Sequence, residues 1–138
     1  MSLKEDFIKI PKLQSLQQCQ KVQAITKKQT GFGYDKIDNI LQDLYNEIDE
    51  LKAEIKISNK DNLNKQRIFE ELGDVLFVLC NLANKFDIDC NEALLYSTAE
   101  FERRIIYCEE NCAERDLKKI SNQEMIELWK RAKKAKDC

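Results

Sequence analysis

Two pairs of carboxylates stand out by their spacing. Glu47 and Glu50 are i,i+3, and so are Glu71 and Asp74; on a helix each pair leaves the same side one turn apart. At about 100° per residue, Arg67, Glu71, Asp74, Val78 and Asn81 form one narrow stripe. The stripe runs into Val75-Leu76-Phe77-Val78-Leu79-Cys80, a segment apolar all round and read as the most buried element. Glu71 and Asp74 therefore stand where a helix enters a core, and unpaired carboxylates there are costly. If the two acid-bearing helices pack through these faces, four carboxylates converge. Raised pKa values or a bound divalent cation then relieve the repulsion. An all-oxygen donor set suits a hard ion, Mg²⁺ or Mn²⁺, rather than zinc. By spacing alone the same residues also fit a plainer account. The acids can be two solvated surface pairs, Arg67 an i,i+4 partner of Glu71, and Asn81 a hydrogen-bonded core amide. Phe32 and Trp129 can be core aromatics, and Arg103-Arg104 a surface pair with Glu100 in reach of Arg104.

Composition narrows the chemistry further. The chain has 138 residues, 23 Lys+Arg, 25 Asp+Glu and no histidine, for a formal net charge of −2. Without histidine there is no His general base, no Ser-His-Asp or Cys-His nucleophile system, and no imidazole-ligated zinc. The ferritin type of di-iron site, which needs Glu-x-x-His from two helices, is disfavoured for the same reason. Nearly balanced charge gives no nucleic-acid footprint. No apolar run approaches 18 residues, so neither a membrane span nor a secretory segment is expected. The six cysteines contain no C-x-x-C, and Cys108 and Cys112 are i,i+4 on one helical face. That spacing suits reduced thiols in a cytoplasmic protein.

The elements that must position these residues are all helical. Three glycines, one proline and a pervasive 3.6-residue period predict an all-α antiparallel bundle of about five helices in a single domain. Residues 1–10 form an N-terminal arm. A first helix is expected from about Pro11 to Gln29, with Leu13, Leu16, Val22 and Ile25 on its apolar side. Thr30-Gly31-Phe32-Gly33-Tyr34 is a loop, after which Asp35 can cap a helix to about Ile57. Ser58 to Asn62 is a polar connection, and a third helix runs from about Leu63 to Phe86. Asp89-Cys90-Asn91-Glu92 and Ser121-Asn122-Gln123-Glu124 have capping-box spacing and open the last two helices.

At the acids the sequence resembles a known family. Asn46-Glu47-Ile48-Asp49-Glu50 followed by Glu71-Leu72-Gly73-Asp74 resembles the E-E-x-x-E…E-x-x-D pattern of the MazG-like nucleoside triphosphate pyrophosphohydrolases. Gln20-Lys21-Val22-Gln23 with Thr30 to Tyr34 is similar to the family's Q-K-x-Q…x-G-F-x-W. Glu70 to Phe77, Asn81-Leu82-Ala83, Phe101-Glu102-Arg103-Arg104 and Leu128-Trp129 match further segments in order. The resemblance spans about residues 11 to 135.

The resemblance implies an all-α homodimer that hydrolyses a nucleoside triphosphate to the monophosphate and pyrophosphate. It assigns Mg²⁺, with Mn²⁺ as a possible substitute, to Glu47, Glu50, Glu71 and Asp74, with Glu47 or Glu50 as the catalytic base. Arg67, Arg104 and Lys133 would hold phosphates, Phe32 and Trp129 contact the base, and Asn81 hydrogen-bond the nucleotide. No nucleic acid or membrane partner is implied. Three positions depart from the pattern, one of them Thr98 in place of the Asn of N-x-K-F-E-R-R. Asn46 replaces a usual Glu, which bears on the number of ions, and Glu100 replaces a usual Lys, which removes a cation from phosphate binding. Those departures keep a second expectation open, a degenerate nucleotide-binding or regulatory dimer without turnover.

Overall fold

The computed structural model describes residues 15–58 and 64–135. Five α-helices and a short 3₁₀ turn account for these residues, with no strand among them: α1 (Ser15–Thr30), α2 (Ile37–Ser58), α3 (Lys65–Lys85), α4 (Cys90–Asn111), the turn Leu117–Lys119, and α5 (Asn122–Lys134). The expected N-terminal arm, the start of the first helix and most of the polar connection after α2 lie outside the described residues. The chain divides into two compact units, whose described parts are residues 15–58 with 64–93, and residues 94–135.

In the first unit α3 packs against both α2 and α1. Arg67 meets Glu54 near one end of the α2–α3 pair, and Glu47 meets Glu71 and Asp74 further along. Rising numbers on α3 thus face falling numbers on α2, so the two helices are antiparallel as their short connection dictates. Asn64 caps α3 by accepting from the Arg67 N–H.

The first helix turns a different face inward from the one expected. Gln20 and Gln23 are buried, whereas Val22 and Ile25 are more than half exposed. The reason lies in the α3–α4 turn, whose backbone polar groups need partners when covered. Gln20 donates to the Ile88 carbonyl at 2.7 Å and accepts from the Cys90 N–H at 2.8 Å. Gln23 donates to the Phe77 carbonyl at 2.8 Å and accepts from Asn84 at 3.2 Å. Asp87 takes a positive φ of 52° in that turn. Asp89 then accepts from the N–H groups of Asn91 and Glu92, the expected cap of α4.

Two further expectations are corrected here. Asp35 does not cap α2; it lies two residues before Ile37, and its carboxylate takes an ion pair with Lys27 at 2.7 Å. The segment Val75 to Cys80 is not buried all round. Val78 and Cys80 are buried, but Leu76, Phe77 and Leu79 are 45%, 49% and 39% exposed. Within the unit, α1 and α2 cover only two sides of α3.

The second unit is built on the later turns of α4 and on α5. Cys108, Cys112, Leu128 and Ala132 form its buried centre, flanked by Tyr107, Leu117, Ile120, Met125 and Trp129. Ser121 caps α5 by accepting from the Glu124 N–H at 3.1 Å, as its spacing predicts. Arg103 donates to the carbonyls of Ala132 and Ala135, placing a cation on the negative end of α5.

Candidate metal centre and adjoining cavity

The α2–α3 packing brings together the acids singled out by spacing. Glu47, Glu71 and Asp74 each offer a carboxylate oxygen, all within 4.8 Å of one another. Glu50 joins them through a hydrogen bond with Glu47 and through its charge on Glu71. Two full charges at 4.8 Å repel by about 3.5 kcal/mol even at an effective dielectric near 20. The cluster answers with protons. Glu47 is pushed up to about 7, first by burial, then by the hydrogen bond and charge of Glu50 and the charges of Asp74 and Glu71. Glu71 is also raised, first by burial and then by Glu50 and Asp74.

Protons leave part of the demand unmet. Glu47 Oε2 and Glu71 Oε2 are buried and have no hydrogen-bond partner, an arrangement that normally calls for an ion or water. Both belong to a donor set that, among the described residues, consists of carboxylates with no cysteine in it. The residues present therefore fit a hard divalent cation.

Arg67, expected on the stripe beside Glu71, reaches across to α2 instead. Its guanidinium contacts Glu54 Oε1 at 2.9 and 3.3 Å, so its charge is already matched by a carboxylate. Asn46 is exposed and accepts from Gln42 at 3.1 Å, which leaves it out of the acid cluster. Glu54 was not singled out in the sequence, nor was Asp43. The signal was present: Asp43, Glu47, Glu50 and Glu54 recur at i, i+4, i+7 and i+11, one face of α2.

Beside the cluster the same unit holds a cavity of about 700 Å³. Its lining includes Phe32 and Phe77, the amides of Gln23, Asn81 and Asn84, and Lys27. Phe32 and Asn81, both expected at a nucleotide, thus lie in one cavity. The loop that shapes it depends on glycine at Gly31, whose φ of +74° is the left-handed region. A Cβ on Gly33 would stand 2.8 Å from the Lys27 side chain. Tyr34 and Asp43 complete the wall. The Tyr34 hydroxyl donates to Asp43 Oδ2 at 2.6 Å. Burial, then the bond and charge of Asp43 and the charge of Glu47, push Tyr34 up to about 12.

Arg104, Trp129 and Lys133 belong to the second unit. Trp129 is half-buried with the Phe101 ring 5.6 Å away, and the Arg104 guanidinium sits 5.9 Å from the Trp129 ring. Glu100 holds both arginines, Arg103 at 3.2 Å and Arg104 at 3.4 Å. The Arg104 Nε is buried without a hydrogen-bond partner. Lys133 is exposed one turn after Trp129.

Comparison with known proteins bears on the family of the chain. The MazG nucleotide pyrophosphohydrolase domain matches residues 35–107, which contain all four acids. A nucleoside triphosphate pyrophosphohydrolase of Escherichia coli (strain K12) is 30% identical over 124 residues, covering 88% of this chain and 46% of that protein. An uncharacterized protein YabN of Bacillus subtilis (strain 168) is 40% identical over 65 residues, 46% of this chain and 13% of its own length. The chain thus spans less than half the length of these curated relatives. No helix among the described residues is long and apolar enough to cross a membrane.

Proposed function

Because the chain belongs to the MazG nucleotide pyrophosphohydrolase domain family, we propose that it hydrolyses nucleoside triphosphates to nucleoside monophosphate and pyrophosphate with Mg²⁺. The observation that carries this is the convergence of Glu47, Glu71 and Asp74 within 4.8 Å, with two buried oxygens lacking partners, beside a cavity of about 700 Å³. Glu47, Glu50, Glu71 and Asp74 would hold the ion, with Mn²⁺ as a substitute. When bound, the ion draws charge from the triphosphate and lowers the pKa of a nearby water. Glu47 or Glu50 would take the proton of the water that attacks phosphorus at the α–β bridge, the general-base role that carboxylates supply in a chain without histidine. Phe32 and Asn81 receive the nucleoside in the cavity. Arg104, Trp129 and Lys133 are assigned substrate contacts on the resemblance, and Arg67 acts by orienting Glu54 and the α2–α3 pair.

The functional form is a homodimer in the cytoplasm. Large apolar residues on the outer side of α3, among them Phe69, Leu72 and Leu76, are exposed in the single chain and support burial against a second copy. Light scattering reads this directly, and a monomeric mass at micromolar concentration counts against it. A pyrophosphate-release screen over canonical, deoxy and damaged triphosphates with Mg²⁺ and Mn²⁺ tests the activity. No release from any of them refutes the hydrolytic reading.

One observation favours a second reading, nucleotide binding without turnover. Glu100 stands where a cation is usual and pairs with Arg103 and Arg104, reducing the positive charge available to phosphates. Under that reading Glu100→Lys with Asn46→Glu creates activity in an otherwise silent protein.

A further inference from the structure

Asp43 is an acid that the metal cluster does not require. It lies one helical turn before Glu47 on α2, so its Cα is about 6 Å along the axis from that of Glu47. Its side chain is half-buried and lines the cavity together with Tyr34, Phe32 and Asn81. Among the described residues no cation pairs with it. Of the lysines in the lining, Lys27 is bound to Asp35 at 2.7 Å. Among the described residues the Asp43 side chain accepts from the Tyr34 hydroxyl, at 2.6 Å on Oδ2.

This arrangement has a chemical direction. Tyr34 keeps its proton well beyond neutral pH, so the pair stays as hydroxyl donor and carboxylate acceptor. Tyr34 fixes the rotamer of Asp43 and occupies Oδ2, which leaves Oδ1 as an acceptor-only group at the cavity wall. A half-buried carboxylate there, close to four other acids, gains from a ligand that brings a hydrogen-bond donor to its remaining oxygen. Phosphate oxygens and base carbonyls repel such a group, whereas sugar hydroxyls and base amino groups satisfy it, and position decides between those two.

In a nucleotide whose phosphates lie at the acid cluster, the sugar is the next group outward, and one helical turn outward from Glu47 stands Asp43. We propose that Asp43, oriented by Tyr34, accepts a hydrogen bond from a sugar hydroxyl of the bound nucleotide and makes the protein discriminate ribonucleotides from their deoxy counterparts. The inference rests on the nucleoside triphosphate reading above. Carboxylate recognition of a ribose hydroxyl has the same chemistry in dinucleotide sites. Tyr34 is a positioning residue in this scheme and Asp43 a specificity residue.

The test is a comparison of kcat/KM for ribo, 2′-deoxy and 3′-deoxy triphosphates of one base, with Mg²⁺, in the wild type, Asp43→Ala, Asp43→Asn and Tyr34→Phe. A second series uses triphosphates that differ in base amino and carbonyl groups. Removing the recognised hydroxyl should cost the wild type about tenfold or more, as loss of a hydrogen bond to a charged group does. In Asp43→Ala the same ratio should fall to within about twofold, with Asp43→Asn and Tyr34→Phe between the two. Calorimetric binding of the corresponding monophosphates should show the same ratios without turnover. An unchanged ribo-to-deoxy ratio in Asp43→Ala overturns the inference, as does a change that follows the base series instead of the sugar. If the wild type hydrolyses no triphosphate, the hydrolytic reading fails separately, and the monophosphate ratios still decide the role of Asp43.

Discussion

Mg²⁺ should bind about tenfold more tightly near pH 8 than near pH 6, and Glu47 should be the source of the difference. In the metal-free protein burial and then Glu50 hold the Glu47 carboxyl at about 7. A cation that takes both oxygens must displace that proton. A group of pKa about 7 is ionised to about 9% near pH 6 and about 91% near pH 8, which gives the tenfold ratio. Glu71, raised for the same reasons, adds in the same direction. The consequence for stability has the opposite sign without metal. A carboxyl whose folded pKa exceeds its unfolded value stabilises the native state at acid pH, and that contribution is lost as pH rises through about 7. Metal-free protein should therefore lose stability across that window, and saturating Mg²⁺ should restore it by binding the native state. Titration calorimetry in two buffers of different ionisation enthalpy reads affinity and released protons together. About 0.9 proton from Glu47 should be released near pH 6 and about 0.1 near pH 8. A pH-independent affinity refutes the reasoning, and so does a full pH effect surviving in Glu47→Gln.

Glu71→Gln and Asp74→Asn should each abolish pyrophosphate release while leaving the far-ultraviolet circular dichroism of the helices intact; full activity in either variant removes that acid from the metal set. Gln20→Ala strips partners from the Ile88 carbonyl, the Cys90 N–H and Asn84, so urea unfolding should show a loss of about 2–4 kcal/mol. Gly31→Ala forces a side chain into a φ of +74°, and the expected cost of about 1–2 kcal/mol should appear as a Tm lower by several degrees.

The acids were legible because i,i+3 spacing survives translation into a helix face without knowledge of the fold. Their convergence followed from one further rule, that short connections make antiparallel neighbours. Both capping boxes were legible for the same local reason. The inward face of α1 was not. Hydrophobic periodicity counts Gln20 and Gln23 as outward, yet the α3–α4 turn needs long amides to satisfy its peptide groups. The exposure of α3 was illegible too, since an apolar segment says that it wants cover and not which sides receive it. Arg67 was misplaced because i,i+4 reasoning looks along one helix, while Glu54 lies across the packed pair.

The row of acids on α2 shows why a cation belongs at one place and not along the whole helix. Glu54 is answered by Arg67 at 2.9 Å, and Asp43 by the Tyr34 hydroxyl at 2.6 Å. Between them, Glu47 and Glu50 face Glu71 and Asp74, and no ion pair to Lys or Arg within 4.0 Å is formed by these four among the described residues. Charge is therefore compensated at one end of the row and hydrogen-bonded at the other, and the deficit is confined to the middle two turns. A Lys or Arg in that gap would relieve the repulsion permanently and close the site to an ion. Its absence leaves the four acids with a choice between protons, which hold Glu47 at about 7, and a divalent cation that competes with them. An imidazole here would add a second titrating group near neutrality and a nitrogen ligand, favouring softer metals over Mg²⁺. Under the proposed function, a site made only of carboxylates would favour a hard ion and supply the base from among its own members.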